Sequence, residues 1–476
     1  MAKVSLVDSG PARRGSPRGR ISSGRLGRRV CSLAALSLVT SLAFAGSAAA
    51  AVVPLTASCG QVLTDRNTYV LQNDVGPCST DGIVIKNPGK GDVLTLDLNG
   101  HTIRGNPIVK DGSGKPIGGF NEGAGVRVVG SNKIVVTSSV SGATVRDFDA
   151  GVLLAPEMIG SKIFRLTTNS KVEKLNVTEN EGFVPFGGGS DDEVTDFSDG
   201  IVLVGANNNT VSNNNAFSNG SGGIRLDDAD NNTIINNTAD SNRGNGIRFL
   251  TGNNGNLVTG NTSTNNRFSG ISFSFTSPGN TVRDNVLSRN KFFGASTSFE
   301  SERTTFDDNT IANNNVGGIT LGSGENTLTA NAVTANGFGA AGTSKGNGIF
   351  VGSGTDNFPR VGTTVSGNTV QGNAGNGIRV SCTIDQDPDN FSQFGCLNYN
   401  QHNSILNNVA TGNAVNGPPG TKVKTGFQVV GFYDLLDSNN SDATPADPNN
   451  PPTDCDNNTW KGNTFNTAYP ACTTAP

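Results

Sequence analysis

The chain has 476 residues, among them 63 Gly, 60 Asn and 20 Pro, with 16% charged and 6% aromatic residues and a formal net charge of −4. Gly and Asn are poor helix formers, which argues against a helical bundle or a doubly wound α/β fold. After residue 50 no apolar run is long enough to span a bilayer as a helix, so a turn-rich, mostly β protein is expected.

Residues 1–50 read as an export signal. Arg13, Arg14, Arg18, Arg20, Arg25, Arg28 and Arg29 form a basic leader, an apolar stretch runs from Cys31 to Phe44, and Gly46-Ser47-Ala48-Ala49-Ala50 supplies a small-residue cleavage pattern. The expected product is secreted, by general secretion or, through the Arg28-Arg29 pair, by twin-arginine export. The leader carries eight Lys and Arg and one acidic residue, which leaves 27 basic against 38 acidic groups, a net of −11. That balance speaks against nucleic acid, whose phosphates call for Lys and Arg, and against unaided binding to an anionic membrane.

Six cysteines remain. Each lies near one neighbour and far from the rest, which suggests the local pairs Cys59–Cys78, Cys382–Cys396 and Cys455–Cys472, and an oxidising exterior would preserve them. Residues 51–110 are read as an N-terminal cap and first coils, with Cys59–Cys78 closing the exposed edge. Residues 111–438 form the body, first irregularly through Val126–Val129, Val152–Leu154 and Val172–Val177. An acidic, Gly-rich loop from Glu179 to Asp199 interrupts it.

From Asp199 the chain repeats. Gly-Ile pairs stand at Gly200-Ile201, Gly223-Ile224, Gly246-Ile247 and Gly270-Ile271, at spacings of 23, 23 and 24, and continue less regularly to Gly377-Ile378. A second register runs through Asn209, Asn232, Asn256 and Asn280, and a third through Asn214, Asn237, Asn261, Asn285, Asn309 and Asn331, then Asn368, Asn408 and Asn463. Each unit holds three short alternating runs separated by Asn/Gly turns. Period-2 alternation means strand, and three strands per two dozen residues fit one coil of a parallel β-helix, an all-β solenoid of about a dozen coils. Stacked Asn side chains would then form ladders, a structural role, assisted by the tolerance of Asn for left-handed backbone.

Alternation with inward Ile and Leu turns Arg225, Asp227 and Arg248 outward on adjacent coils, with Asp199 on the coil before and Asp228 just after. Two guanidinium groups can clamp a carboxylate or sulfate on a sugar, with Asp227, Asp228 or Asp199 as acid or base. The competing expectation is a solvated ion-pair ladder. Arg127 and Arg379 fall on the same column. Asp385, Asp387 and Asp389 alternate inside the Cys382–Cys396 loop, a candidate calcium site, as is the acidic stretch 191–199; no cofactor is otherwise called for. Residues 439–476 are a Pro/Asn-rich tail ending in the Cys455–Cys472 pair. A monomer or homotrimer is expected.

The Asn-Thr-Ile/Val and Gly-Asn-Gly-Ile repeats, with Leu94-Thr-Leu-Asp-Leu-Asn-Gly-His-Thr-Ile-Arg-Gly105, resemble the secreted right-handed parallel β-helix repeat proteins of the pectate-lyase-like superfamily over most of residues 59–467. The resemblance implies a right-handed winding and a protein that binds or processes an extracellular polysaccharide by lyase, hydrolase or epimerase chemistry. Its polygalacturonase-like members call for an Asp-Gly strand start, met by Ser198-Asp199-Gly200-Ile201. They also call for an Asp pair before the next strand, where Gly222-Gly223 stands, a Gly-His-Gly, where Gly244-Asn245-Gly246 stands, and an Arg-Ile-Lys, which Gly246-Ile247-Arg248-Phe249 lacks. The Asp-Pro-His-Asp of mannuronan epimerases is missing too. Copper, held by related maturation proteins, would need more than His101, His402 and Met158. The alternative expectation is a non-catalytic cell-surface or matrix structural or adhesion protein.

Overall fold

The computed structural model describes residues 50–473 apart from 87, 89–92, 108, 111, 113–115, 119–122, 182–197, 299, 340–345, 353–360, 382, 385–395, 399–401, 417–421, 426–427, 432, 438–456 and 470–472. The chain divides into two units, 1–49, which lies outside the described residues, and 50–476.

Three long parallel sheets run side by side along the second unit. The first and second have 14 strands each and the third has 13. The chain visits them in rotation. In one regular coil Ile224–Asp227 belongs to the first sheet, Thr233–Ile235 to the second and Thr238–Asp240 to the third, and Ile247–Phe249 then returns to the first. The recurring letters are therefore successive windings, and Ile201, Ile224, Ile247 and Ile271 pair in register. The three sheets reach their last strands at Thr459–Lys461, Thr464–Phe465 and Ala468–Tyr469.

One continuous apolar core fills the bore, with Ile, Val and Leu stacked on like residues of the next coil. Phe249 and Phe273 stack inside it, ring centroids 4.4 Å apart, with Phe306 edge-on to Phe273. The Gly of each Gly-Ile pair sits where the next coil comes close: a Cβ on Gly223 would lie 2.8 Å from the carbonyl oxygen of Gly246 and 2.9 Å from the side-chain nitrogen of Asn242.

The corners are held by asparagine ladders. Asn214 donates its side-chain amide to the amide oxygen of Asn237, which donates to Asn261, and so on through Asn285, Asn309, Asn331, Asn368 and Asn408 to Asn463. Each rung after Asn214 also accepts from the backbone N–H of the preceding Asn and donates to a carbonyl of an earlier coil, as Asn261 does to Ile234. A second ladder runs from Asn180 through Asn219, Asn242, Asn266, Asn290, Asn314, Asn336 and Asn373 to Asn413 and ends on Asp434. A third links Asn209, Asn232, Asn256 and Asn280.

The expected left-handed conformation falls on a different residue. The ladder asparagines lie outside that region; the residue before each adopts it, at Asn213, Asn236, Gly260, Asp284, Asp308, Ala330, Gly367, Asn407 and Gly462. Turning and laddering are thus divided between two neighbours. In this ladder the first position is Asn, Gly, Asp or Ala, and the second requires a side chain that both donates and accepts.

Cys59 and Cys78 are disulfide-bonded beside the first coils. The pairs Cys382–Cys396 and Cys455–Cys472 lie outside what is described: Cys382, Cys455 and Cys472 are not among the described residues, and only the backbone of Cys396 is. Among the described residues no helix is long and apolar enough to cross a membrane.

Candidate functional site

The outer face of the first sheet carries one column of residues that alternation turns away from the core. In register it reads Arg127, Leu153, Val202, Arg225, Arg248, Ser272, Ser296, Thr320, Phe350 and Arg379. Its chemistry changes along the axis. On the earlier coils Leu153 and Val202, with Ala124 and Ala150, form a small apolar cluster separate from the bore. A charged cluster follows, then three coils of Ser and Thr.

The charged cluster gathers residues 199, 225 and 227 from two coils. An Arg225 Nη lies 3.7 Å from an Asp199 carboxylate oxygen, and its other Nη donates to Asp227 at 3.2 Å. Arg248 is the register partner of Arg225. The side chains of Asp199, Arg225 and Asp227 retain 0%, 7% and 14% of their exposure, so this is no solvated ladder on an outer surface. Asp199 Oδ1 accepts the backbone N–H of Gly222, which needs glycine because a Cβ would stand 2.7 Å from that oxygen.

Electrostatics follow from this burial. Burial pushes the Asp199 carboxyl above the usual carboxylate range, against the pull of Arg225, the Gly222 N–H and Arg248. Asp228 lies apart, in the turn after the strand, with left-handed backbone. Burial and the nearby carboxylates of Asp230 and Asp227 raise its pKa too.

The two outlying arginines have their own settings. Arg127 donates from Nε to both oxygens of Asp81, at 2.8 and 2.9 Å. Arg379 is buried, with its guanidinium 5.4 Å from the Phe350 ring centre, and burial lowers its pKa to about 10. Five coil steps separate Arg248 from Arg379, about 24 Å at the normal interstrand spacing.

His101 sits in its turn 3.2 Å from Asp74 and away from the first-sheet column. The calcium candidates Asp385, Asp387 and Asp389 lie outside the described residues, as does most of 191–199. Among the described residues no group of three or more His, Cys, Asp or Glu could hold a metal ion. The sequence reading passed over Asn245, Ser269 and Phe293, which occupy the column beside Arg248. The signal lay in the position just before each Gly-Ile pair.

The family model for the right handed beta helix region matches residues 58–287 and 199–363. No curated relative matches the sequence. Among solved structures, the A-module of the mannuronan C-5 epimerase AlgE4 of Azotobacter vinelandii is 16% identical over 73% of this chain and 86% of its own, with a TM-score of 0.44. The periplasmic alginate epimerase AlgG is 15% identical over 74% of this chain and 73% of its own, at 0.42. The DFA-IIIase of Arthrobacter chlorophenolicus A6, in complex with GF2, is 16% identical over 68% and 84%, at 0.36.

Proposed function

The chain belongs to the right-handed β-helix family, and on that scaffold we propose that it is an exported protein whose first-sheet outer face binds, and through Asp227 processes, an extracellular polysaccharide. The observation that carries this is the cluster of Asp199, Arg225 and Asp227, with Arg248 beside it. Buried charge is expensive and is kept only when paired or used. Here two guanidinium groups stand side by side at the end of a column of Ser and Thr, next to a small apolar patch. Arg225 and Arg248 hold a carboxylate or sulfate of the glycan. Asp199, wholly enclosed and tied to Gly222, positions Arg225. Asp227, the more exposed acid, is placed to exchange a proton with bound sugar, in lyase, hydrolase or epimerase chemistry.

A second reading, a non-catalytic surface or matrix protein, draws on the ladder from Asn214 to Asn463, which bonds successive coils of this stretch to one another. A panel of neutral and uronic-acid polysaccharides separates the two. Arg248→Ala and Asp227→Ala, each folded normally, are expected to abolish binding or turnover, read by affinity and by unsaturated product and reducing ends. Unchanged behaviour of both variants removes the site; silence of the wild-type protein across the panel favours the second reading.

A further inference from the structure

The corner between the third and first sheets carries a pattern of its own. Backbone hydrogen bonds align Gly244, Phe268, Phe292 and Val316 in one column: Phe268 donates to Gly244, Phe292 to Phe268 and Val316 to Phe292. The residues just before them, Arg243, Arg267, Lys291 and Asn315, form the adjoining column, each N–H donating to a rung of the Asn219–Asn290 ladder. Two successive coils therefore present the same basic-aromatic dipeptide, Arg267-Phe268 and Lys291-Phe292, 24 residues apart.

These rings lie on the outside. Phe249 and Phe273 are fully buried in the bore, whereas Phe268 and Phe292 are each 44% exposed. Their centroids are 5.3 Å apart at a tilt of 33°, and Phe293 meets Phe292 edge-on at 6.3 Å. Phe293 stands on the first-sheet outer face, in the column that holds Ser269 and Asn245. The aromatic corner is thus continuous with the face that carries Arg248, one and two coils further along the axis. Arg267 and Lys291 are exposed beside it, while Arg243, on the coil before, lies 3.5 Å from the buried Glu181.

We propose that the Arg267-Phe268 and Lys291-Phe292 corner is a pair of subsites for an anionic polysaccharide lying along the helix axis, one sugar unit per coil. The inference rests on the polysaccharide reading above and extends the binding of acidic sugar units from Arg225 and Arg248 to the next two coils. The apolar C–H face of a pyranose ring fits the electron-rich face of an exposed phenylalanine, and the neighbouring cation meets the acid group of the same sugar. Repetition at the coil spacing lets successive units of one polymer engage successive coils, so modest contacts add within one chain. Single-stranded nucleic acid is also bound by basic and aromatic side chains, and an oligothymidylate therefore enters the test as the competing polyanion.

The test is calorimetric titration of the full-length protein with polygalacturonate, with neutral dextran and with an oligothymidylate, for the wild type, Phe268→Ala/Phe292→Ala, Arg267→Gln/Lys291→Gln and Arg248→Ala. The aromatic pair is expected to lose about tenfold or more in affinity for polygalacturonate. The basic pair should lower the salt dependence, and both variants should keep the wild-type unfolding midpoint because the ladder contacts at these positions are made by the backbone. Wild-type affinity in both corner variants, while Arg248→Ala weakens binding, overturns the subsites and leaves the polysaccharide reading standing. Absence of polygalacturonate binding by the wild type overturns the subsites, and absence of dextran binding as well counts against the polysaccharide reading. Oligothymidylate binding as tight as that of polygalacturonate, and lost in the aromatic variant, overturns the assignment of the corner to a glycan.

Discussion

At the scale of the residue, the ladder asparagine is the unit on which the coil depends. Asn261 donates to carbonyls of Ile234 and Thr259 and to Asn285, and accepts from Asn237. Asn261→Ala leaves several buried polar groups without partners and is expected to cost about 3 kcal/mol in denaturant unfolding. Asn236→Gly, one residue before the neighbouring rung and already left-handed, is expected to change stability by less than about 0.5 kcal/mol. The Asn registers were legible because every ladder position demands the same chemistry. The division between turning and laddering was not, since Asn213-Asn214 and Asn236-Asn237 write both roles with one letter, and only Gly260 or Ala330 beside a constant Asn separates them. Asp199 gives a second residue-scale prediction. Its raised pKa means that the folded protein holds this proton more tightly than the unfolded chain. Its contribution is therefore fully present below the ordinary carboxylate range and is lost as pH rises through the raised value. Melting temperatures of wild type and Asp199→Asn should diverge in favour of the variant as pH rises from the ordinary carboxylate range through the raised value; a difference independent of pH would contradict the assignment.

At the scale of the element, each first-sheet strand is two to six residues long, so few letters set the character of a coil's outer face. Arg225 and Arg248 share a column and differ in surroundings. Arg225 neutralises the enclosed Asp199, so Arg225→Ala strands a buried charge and is expected to destabilise by roughly 3–5 kcal/mol. Arg248→Ala should stay within about 1 kcal/mol, a contrast that urea midpoints measure directly. Alternation around Ile224 and Ile247 was enough to turn these arginines outward from sequence. The enclosure was not readable, because what surrounds Asp199 comes from Gly222, Arg225 and Arg248 on later coils, and burial of a polar side chain leaves no periodic trace. Phe268 and Phe292 escaped notice for a related reason: they lie in a corner, outside the alternating runs, where only the recurrence of a basic residue before Phe marks them.

At the scale of the whole molecule, a solenoid is held by contacts between neighbours, so damage stays local. The Cys59–Cys78 bridge closes a loop of separation 19 beside the first coils, and its removal should cost about 3 kcal/mol there. Amide exchange is expected to quicken through residues 52–86 of a Cys59→Ser/Cys78→Ser variant and to stay unchanged through 233–288; acceleration throughout would show global coupling instead. The same stacking makes Arg225 and Arg248, 23 apart in sequence, register partners, which is what the proposed clamp requires. A double-mutant cycle of Arg225→Lys and Arg248→Lys, read as affinity for polygalacturonate, tests this most directly. Losses that fail to add by about 1 kcal/mol or more are predicted; strictly additive losses would contradict a shared site.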